Sequence, residues 1–294
     1  MKIKKNIKKA ILLITILVSL SLLTIYCFYL KDNKTSDDGI IVLAYHHFLP
    51  KEDKEKYMKD NYYVMSTEQF EEQMKYLYNN GYKSIDVDSI ICYINDECNV
   101  PKKSFLVTID DGNISSYYEA LPILEKYNFK SINFIIGDRI GDTSKVLDES
   151  DKSKYYFLGR DLLEEIKNNH SLMTIGTHSY GLHNSIDGVK LVYTSSNEEL
   201  IRDAKLAKEA LYNASINAYP FGTYTEDYIE VLKKEGYSLS FTFNNNRLLT
   251  KRDNAYKLPR INIRADDDMR SFKLKLEGRV TFTRYVKNFI KKIF

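Results

Sequence analysis

Apolar runs of strand length alternate with stretches of helical periodicity through most of this 294-residue chain. Seven runs are strand candidates, and they cover residues 40–45, 104–109, 131–136, 173–177, 216–219, 239–243 and 258–263. Five stretches between them are helix candidates, and they cover residues 67–79, 116–127, 161–169, 197–212 and 225–234. This alternation predicts a mostly parallel sheet. Seven strands favour an α/β fold of the deformed (β/α)7-type barrel over an open sheet.

An uncharged run of 21 residues, mostly Ile and Leu, occupies residues 10–30. At about 1.5 Å per residue it would form a helix of about 31 Å, enough to cross a hydrocarbon core of about 30 Å. Five lysines and no acidic residue precede it, and such a flank stays in the cytoplasm. We therefore expect one transmembrane helix before the barrel, in a single-pass protein of the cell membrane with an extracellular domain. A cleaved signal peptide is the main alternative, although the run ends in bulky residues.

The charge is unevenly distributed along the chain. The formal net charge is +3, but residues 10–294 alone carry −2 because five lysines lie before them. A basic face for nucleic acid is therefore not indicated, and a DNA- or RNA-binding protein is not expected. The predicted organisation is a cytoplasmic basic arm at 1–9, a transmembrane anchor at 10–30, a linker at 31–38, a folded domain at 39–264 and a basic amphipathic tail at 265–294.

Two features outside the strand pattern leave alternatives open. Residues 283–294 place apolar side chains at helical spacing between basic ones, so this tail either packs on its own domain or lies on the outer membrane surface.

Cys92 and Cys98 flank a short segment that we interpret as a polar loop. An exported domain permits a disulfide there, and two free thiols are the alternative.

Polar residues follow two of the strand candidates, at the strand ends where parallel α/β proteins form their sites. Asp110 and Asp111 follow the second candidate, and adjacent carboxylates leaving an apolar strand are unfavourable unless neutralised. His178 and His183 follow the fourth, and a loop can bring both imidazoles to one ion. One carboxylate with two imidazoles leaves open positions for water, as a hydrolytic metal requires. Solvated acids and surface histidines are the alternative interpretation.

Two further histidines, His46 and His47, end the first strand candidate. A histidine at this position could be a general acid, a further metal ligand or a hydrogen-bonded core residue.

Three segments together resemble a known family. They are the Asp-Asp-Gly turn at 110–112, the His-Ser…His loop at 178–183 and the Ala-Tyr-Pro-Phe-Gly run at 218–222. In this order they look like the motifs of the polysaccharide deacetylases of carbohydrate esterase family 4, the NodB-homology domain. The opening Tyr45-His46 pair and the histidine spacing look most like the deacetylases of biofilm poly-N-acetylglucosamine.

The resemblance covers roughly residues 39–264 and implies a metal-dependent hydrolase that removes N-acetyl groups from N-acetylglucosamine units of an extracellular polysaccharide. It implies that Asp111, His178 and His183 bind a divalent metal, with Zn²⁺ expected and Co²⁺, Ni²⁺, Mn²⁺ or Fe²⁺ as alternatives. Asp110 would then be the general base.

The expected general acid departs from the ordinary family pattern. No histidine follows His183, and the region that would hold the usual C-terminal histidine reads Leu-Pro-Arg-Ile-Asn-Ile at 258–263. In the poly-N-acetylglucosamine subgroup an N-terminal histidine takes this place. By resemblance His46 would protonate the departing amine, with His47 as its rival.

Three further roles follow from the same resemblance. The motif arginine falls on Ala218, and Arg260 would supply the missing cation beside Asp110. Phe221 matches a tyrosine of the motif whose backbone N–H holds the oxyanion. Tyr180 would stack on a sugar ring.

Other functions remain open at this point. Peptidoglycan is the leading alternative substrate, and acetyl esters of xylan-like polymers are a weaker one. A glycan-binding barrel that has lost catalysis would explain the missing histidine and arginine. An oxygenase is also conceivable, because two histidines and one carboxylate suit ferrous iron.

Overall fold

The computed structural model describes residues 2–32, 39–142, 156–243 and 247–293, and within them the chain forms twelve strands. In chain order these are β1 (Ile41–Tyr45), β2 (His47–Leu49), β3 (Val64–Ser66), β4 (Lys83–Ser84), β5 (Ser104–Ile109), β6 (Ser131–Ile135), β7 (Met173–Thr177), β8 (Ser185–Ile186), β9 (Val189–Lys190), β10 (Ile216–Ala218), β11 (Leu239–Phe241) and β12 (Ile261–Asn262). Eight of them form one parallel sheet in the order β11-β10-β7-β6-β5-β1-β12, with β4 beside β5.

The two ends of this sheet meet. A parallel bridge pairs Phe241 of β11 with Leu258, three residues before β12, and the N–H of Thr242 donates to the Leu258 carbonyl at 2.8 Å. Residues 258–262 therefore contact β11 on one side and β1 on the other. The predicted deformed (β/α) barrel is confirmed.

Ten α-helices lie in the described part of the chain. They are α1 (Lys2–Asp32), α2 (Lys51–Tyr57), α3 (Thr67–Asn79), α4 (Val87–Ile94), α5 (Leu121–Lys126), α6 (Arg160–Asn169), α7 (Asn197–Ala210), α8 (Glu226–Lys234), α9 (Met269–Leu276) and α10 (Phe282–Ile293). Their starts follow local capping chemistry: the Ser66 hydroxyl accepts from the N–H of Gln69 ahead of α3, and Ser196 forms a reciprocal capping box with Glu199 ahead of α7.

Alternate residues of the sheet supply two separate apolar clusters. Leu43 and Val107 belong to a cluster that includes buried residues of α3, α5, α6 and α9. Val42 and Phe134 belong to a second cluster, which reaches Phe241 of β11. The central strands are buried on both faces, which is why they appear in the sequence as continuous apolar runs.

The seven predicted strands all occur, with ends that differ by up to three residues. Three helices were not predicted, namely α2, α4 and α9. Cys92 lies in α4 rather than in a loop and forms a disulfide with Cys98. Phe272 and Leu276 of α9 lie in the core, so packed structure continues beyond the predicted domain end at residue 264.

Among the described residues, one helix is long and apolar enough to cross a membrane, and it spans Leu13–Lys31. Its composition agrees with the predicted anchor, but length and composition do not distinguish an anchor from a signal sequence. The anchor and its topology therefore stay predictions.

Candidate active site

A cavity of about 340 Å³ lies at the carboxyl ends of the barrel strands. The acids and histidines that line it are those singled out in the sequence, and they are His46, His47, Asp110, Asp111, His178 and His183. Aromatic side chains line it as well, and they are Tyr63, Phe157, Phe221 and Phe243. Segments far apart in the chain meet here because parallel strands end at the same edge of the barrel.

Three of these side chains form a compact donor set. One ligand atom each from Asp111, His178 and His183 lies within 4.8 Å of the other two. The Oδ1 atom of Asp111 is 3.3 Å from Nε2 of His183 and 3.7 Å from Nε2 of His178. One carboxylate oxygen and two imidazole nitrogens suit a divalent transition metal.

The His178 ring is oriented by a backbone contact. Its Nδ1 lies 2.7 Å from the carbonyl oxygen of Ala218, and a carbonyl can only accept, so Nδ1 carries the proton and Nε2 presents its lone pair. Burial lowers the pKa of His178 to about 4, so the ring is neutral at pH 7. A neutral imidazole held through its other nitrogen is the usual arrangement of a histidine ligand.

The turn after β5 has backbone geometry that sets the direction of Asp111. Asp111 and Gly112 have φ angles of 74° and 68°. A Cβ atom at Gly112 would lie 2.9 Å from the side chain of Ile135, so only glycine fits there. Burial raises the pKa of Asp111, but His183, His46 and His178 outweigh it and hold that pKa below the ordinary aspartate value.

Asp110 forms a buried, two-pronged ion pair with Arg260. The guanidinium donates to Oδ1 at 2.6 Å and to Oδ2 at 2.8 Å, and both side chains are almost inaccessible, at 2% and 0% exposure. Arg260 also donates through Nε to the carbonyl of Thr242 and through Nη1 to the hydroxyl of Thr108. Burial raises the pKa of Asp110, but the Arg260 charge and hydrogen bonds, with His178 nearby, hold it below its usual range. The carboxylate is therefore ionised and fixed in orientation.

The two neighbouring histidines have different surroundings. His47 is buried, and its Nδ1 lies 2.9 Å from the Ser115 hydroxyl. Burial lowers the pKa of His47 to about 4. His46 is half-buried, and its ring centroid lies 4.9 Å from that of Tyr63 and 5.4 Å from that of Phe243.

Phe221 and Tyr180, both predicted to touch substrate, lie in different places. Phe221 lines the cavity with 37% of its surface exposed, and Lys190 Nζ lies 3.5 Å from its ring centroid. Tyr180 is not among the cavity-lining residues, because its side chain packs over Gly137, where a Cβ atom would lie only 2.6 Å from the ring. The structure gives the predicted stacking role of Tyr180 no support.

Asp203 and Arg139 are among the residues at the site that were missed in the sequence. The Asp203 carboxylate accepts from the N–H groups of Tyr180 and Gly181, at 3.1 and 2.7 Å, and so holds the loop that carries both histidines. Its signal was an acid on the apolar face of α7, between Leu200 and Ala207. Arg139 lines the cavity and donates to the His183 carbonyl at 3.3 Å, and nothing in its sequence surroundings marks it.

Comparisons with known proteins agree with this geometry. Residues 97–240 match the polysaccharide deacetylase family. The chain is 29% identical over 211 residues to a poly-beta-1,6-N-acetyl-D-glucosamine N-deacetylase of Staphylococcus aureus (strain MSSA476), covering 69% of each chain. The structure of IcaB from Ammonifex degensii has a TM-score of 0.64 at 26% identity, over 81% of this chain and 96% of that one. The Streptococcus pyogenes deacetylase PplD in complex with acetate shares the fold, with a TM-score of 0.65 at 20% identity over 82% and 100% of the two chains.

The family match, the named relative and the shared barrel lead to one assignment. Residues 97–240 of the chain are a polysaccharide deacetylase domain, and the relatives that the chain resembles are hydrolases of the N-deacetylase type.

Proposed function

We propose that this enzyme removes N-acetyl groups from N-acetylglucosamine units of an extracellular poly-β-1,6-N-acetylglucosamine, releasing acetate. The named relative from Staphylococcus aureus supports this polymer as substrate. The observation that carries the proposal is the joint presence, in one cavity, of the Asp111, His178 and His183 donor set and the Asp110–Arg260 pair.

The donor set would hold a divalent cation, with zinc preferred for two imidazoles and one carboxylate. The residues fit such an ion because His178 is neutral and bonded through Nδ1, so its Nε2 lone pair is available to a ligand site. When bound there, the cation would polarise the acetamide carbonyl and lower the pKa of a coordinated water.

Asp110 is the residue that accepts the proton of the attacking water in this proposal. Its carboxylate is kept ionised and in one orientation by Arg260, so it is ready to act as a general base. The ion pair makes Asp110 a weaker base, because it lowers the pKa of this carboxyl group. It also removes the need to reorient the carboxylate during the reaction.

His46 is assigned as the acid that protonates the departing sugar amine. His47 is a poor candidate, because with a pKa of about 4 it holds no extra proton at pH 7. His46 lines the same cavity. The backbone N–H of Phe221 is the proposed oxyanion donor, and its half-exposed ring beside the cavity is available for contact with a sugar.

The proposed location follows from the apolar helix. α1 would anchor the protein in the cell membrane as a single pass, with the basic residues at its start in the cytoplasm and the barrel outside. The Cys92–Cys98 disulfide suits this exported location.

The test is acetate release by the full chain from three substrates: poly-β-1,6-N-acetylglucosamine oligomers, N-acetylated peptidoglycan fragments and acetylated xylan. We expect the highest kcat/KM on the first, loss of activity on chelation, and recovery with Zn²⁺ or another divalent ion. Preference for peptidoglycan would correct the substrate, and glycan binding without acetate release under every metal condition would overturn the catalytic proposal.

Two variants separate the roles within that assay. Asp110→Asn should lower kcat about 10²–10⁴-fold, the range of a lost general base, while the metal content measured by mass spectrometry is unchanged. His183→Ala should lose both metal and activity. Equal metal loss in the two variants would contradict the assignment of Asp110 as base.

A further inference from the structure

The C-terminal helix lies against the end of the apolar N-terminal helix. The ring of Phe282, the first residue of α10, has its centroid 5.4 Å from that of Tyr26 and 5.3 Å from that of Tyr29. The ring of Tyr285 lies 5.5 Å from Tyr29. Tyr26 and Tyr29 belong to the last two turns of the candidate span, Leu13–Lys31. α10 therefore begins at the level where that span ends.

All charged side chains in and just before α10 are basic. Residues 279–294 contain five Lys or Arg residues and no Asp or Glu. Such a segment is attracted to a surface of negative charge, and each basic residue near an anionic bilayer adds to that attraction. The charge therefore complements anionic lipid headgroups.

The apolar residues of α10 are not all covered by protein. Ile290 is 49% exposed, although it lies two turns after Phe282, which contacts α1. The aromatic contacts occupy the first turn of the helix, at Phe282 and Tyr285, and leave apolar surface further along. An amphipathic helix with a basic polar side and an uncovered apolar side is the kind that lies in a membrane interface.

The connection to the barrel keeps α10 close to the domain. α9 is packed in the core through Phe272 and Leu276, and residues 277–281 alone separate it from α10. A short connection of this kind limits how far α10 can move from the barrel, since an extended chain covers at most about 3.6 Å per residue.

We propose that α10 binds the surface of an anionic phospholipid bilayer beside the point where α1 enters it, with its apolar side in the headgroup region and its basic residues on lipid phosphates. The aromatic cluster of Tyr26, Tyr29, Phe282 and Tyr285 then lies at the interface, where aromatic rings are favoured. This proposal rests on the anchoring of α1 and is independent of the catalytic assignment. It gives the domain a second attachment to the membrane.

The test uses the full chain reconstituted in liposomes of phosphatidylcholine alone or of phosphatidylcholine mixed with phosphatidylglycerol. Trypsin is added outside, and cleavage after Lys287 is followed by mass spectrometry. We expect cleavage at least about tenfold slower in the anionic liposomes, with the rate restored by high salt. Cleavage after Lys102, in an exposed turn before β5, is the internal control and should be equal in both.

Two matched variants separate insertion from charge. Ile290→Glu and Thr283→Glu add the same negative charge to α10, at two exposed positions, but only the first removes apolar surface. We expect Ile290→Glu to abolish most of the protection and Thr283→Glu to keep most of it.

The outcomes are distinguishable from those of the other proposals. A chain that floats with the liposomes after carbonate washing, yet is cleaved after Lys287 equally fast with and without phosphatidylglycerol, would overturn lipid binding by α10 alone. A chain that does not float would overturn the anchoring and this proposal with it. Acetate release in the same samples reports the catalytic proposal separately.

Discussion

Arg260 is the residue on which the geometry of the candidate site most depends. Its guanidinium bonds Asp110 and Thr108 at the end of β5, and its Nε bonds the carbonyl of Thr242 just after β11. A fully buried cation is stable only when its charge and donors are satisfied, and here several donors are used. The position of Asp110 is therefore tied to two separate strands through one side chain.

The first prediction concerns the shape of this cation. Arg260→Lys keeps the positive charge but loses the two-pronged hydrogen bonding. We expect kcat on a deacetylase substrate to fall about tenfold or more, with the bound metal unchanged by mass spectrometry. A variant with wild-type kcat would show that charge alone orients Asp110.

A second prediction concerns pH and His47. Its folded pKa of about 4 lies below the unfolded value of about 6.5. Between these two pH values His47 binds more protons in the unfolded chain than in the folded one. The contribution of His47 to the free energy of unfolding is therefore complete above about pH 6.5 and is lost as the pH falls. At pH 5 the loss is about 2 kcal/mol.

The measurement is thermal unfolding of metal-free protein at pH 8 and pH 5. His47→Gln should lose less stability than the wild type between these two pH values, because it no longer carries this titrating group. An identical loss in both proteins would contradict the assignment of a buried neutral His47.

At the same scale, part of the site could be predicted and part could not. Asp111, His178 and His183 were placed together because each follows an apolar strand candidate, and parallel strands end at one edge. Asp203 and Arg139 act on backbone groups of a distant loop. Such contacts depend on the tertiary fold: Asp203 is marked in the sequence only as an acid on the apolar face of α7, and Arg139 is not marked at all. The roles assigned to the site residues stay predictions.

Among the elements, the strands were predictable because both of their faces are buried, so their sequences are continuously apolar. α2 was not, since its sequence Lys-Glu-Asp-Lys-Glu-Lys-Tyr has no apolar stripe. α4 was not predicted because the polar residues around Cys98 indicated a loop. α9 was not predicted because a basic tail was assumed to begin at residue 265. In α9, Lys275 is itself buried and bonds Asp267 and the Asn262 carbonyl.

A prediction at this scale concerns the close packing of β6 and β7. A Cβ atom at Gly176 would lie 2.6 Å from ring atoms of Phe134, in the cluster shared by the strands. Gly176→Ala should therefore lower the free energy of unfolding by about 1–3 kcal/mol, measured by thermal unfolding. Gly181→Ala is the control, because its Cβ would meet nothing nearer than 3.5 Å. Equal stability of the two variants would contradict this account of the packing.

For the whole molecule, the described chain continues to contribute to the core after the last strand. Phe272 of α9 is fully buried, whereas Phe282 of α10 contacts Tyr26 and Tyr29 of α1. The two C-terminal helices therefore differ in what they support: α9 supports the barrel and α10 lies against the apolar helix.

The matching prediction compares these two aromatic residues. Phe272→Ala should destabilise the protein by about 3–5 kcal/mol, as expected for a buried phenylalanine. Phe282→Ala should cost far less, because it is only half-buried and outside the core clusters. Thermal unfolding in detergent measures both, and a small effect of Phe272→Ala would place the end of the folded domain before α9.

The meeting of the sheet's two ends at Leu258 has a consequence for the timing of activity during biosynthesis. The segment that joins β11 to β1 also carries Arg260 to Asp110. A nascent chain emerging N-terminus first presents Asp111, His178 and His183 well before this arginine arrives. Asp110 would thus lack its ion-pair partner until nearly all of the polypeptide has emerged, and any hydrolysis that depends on this pair would begin only then.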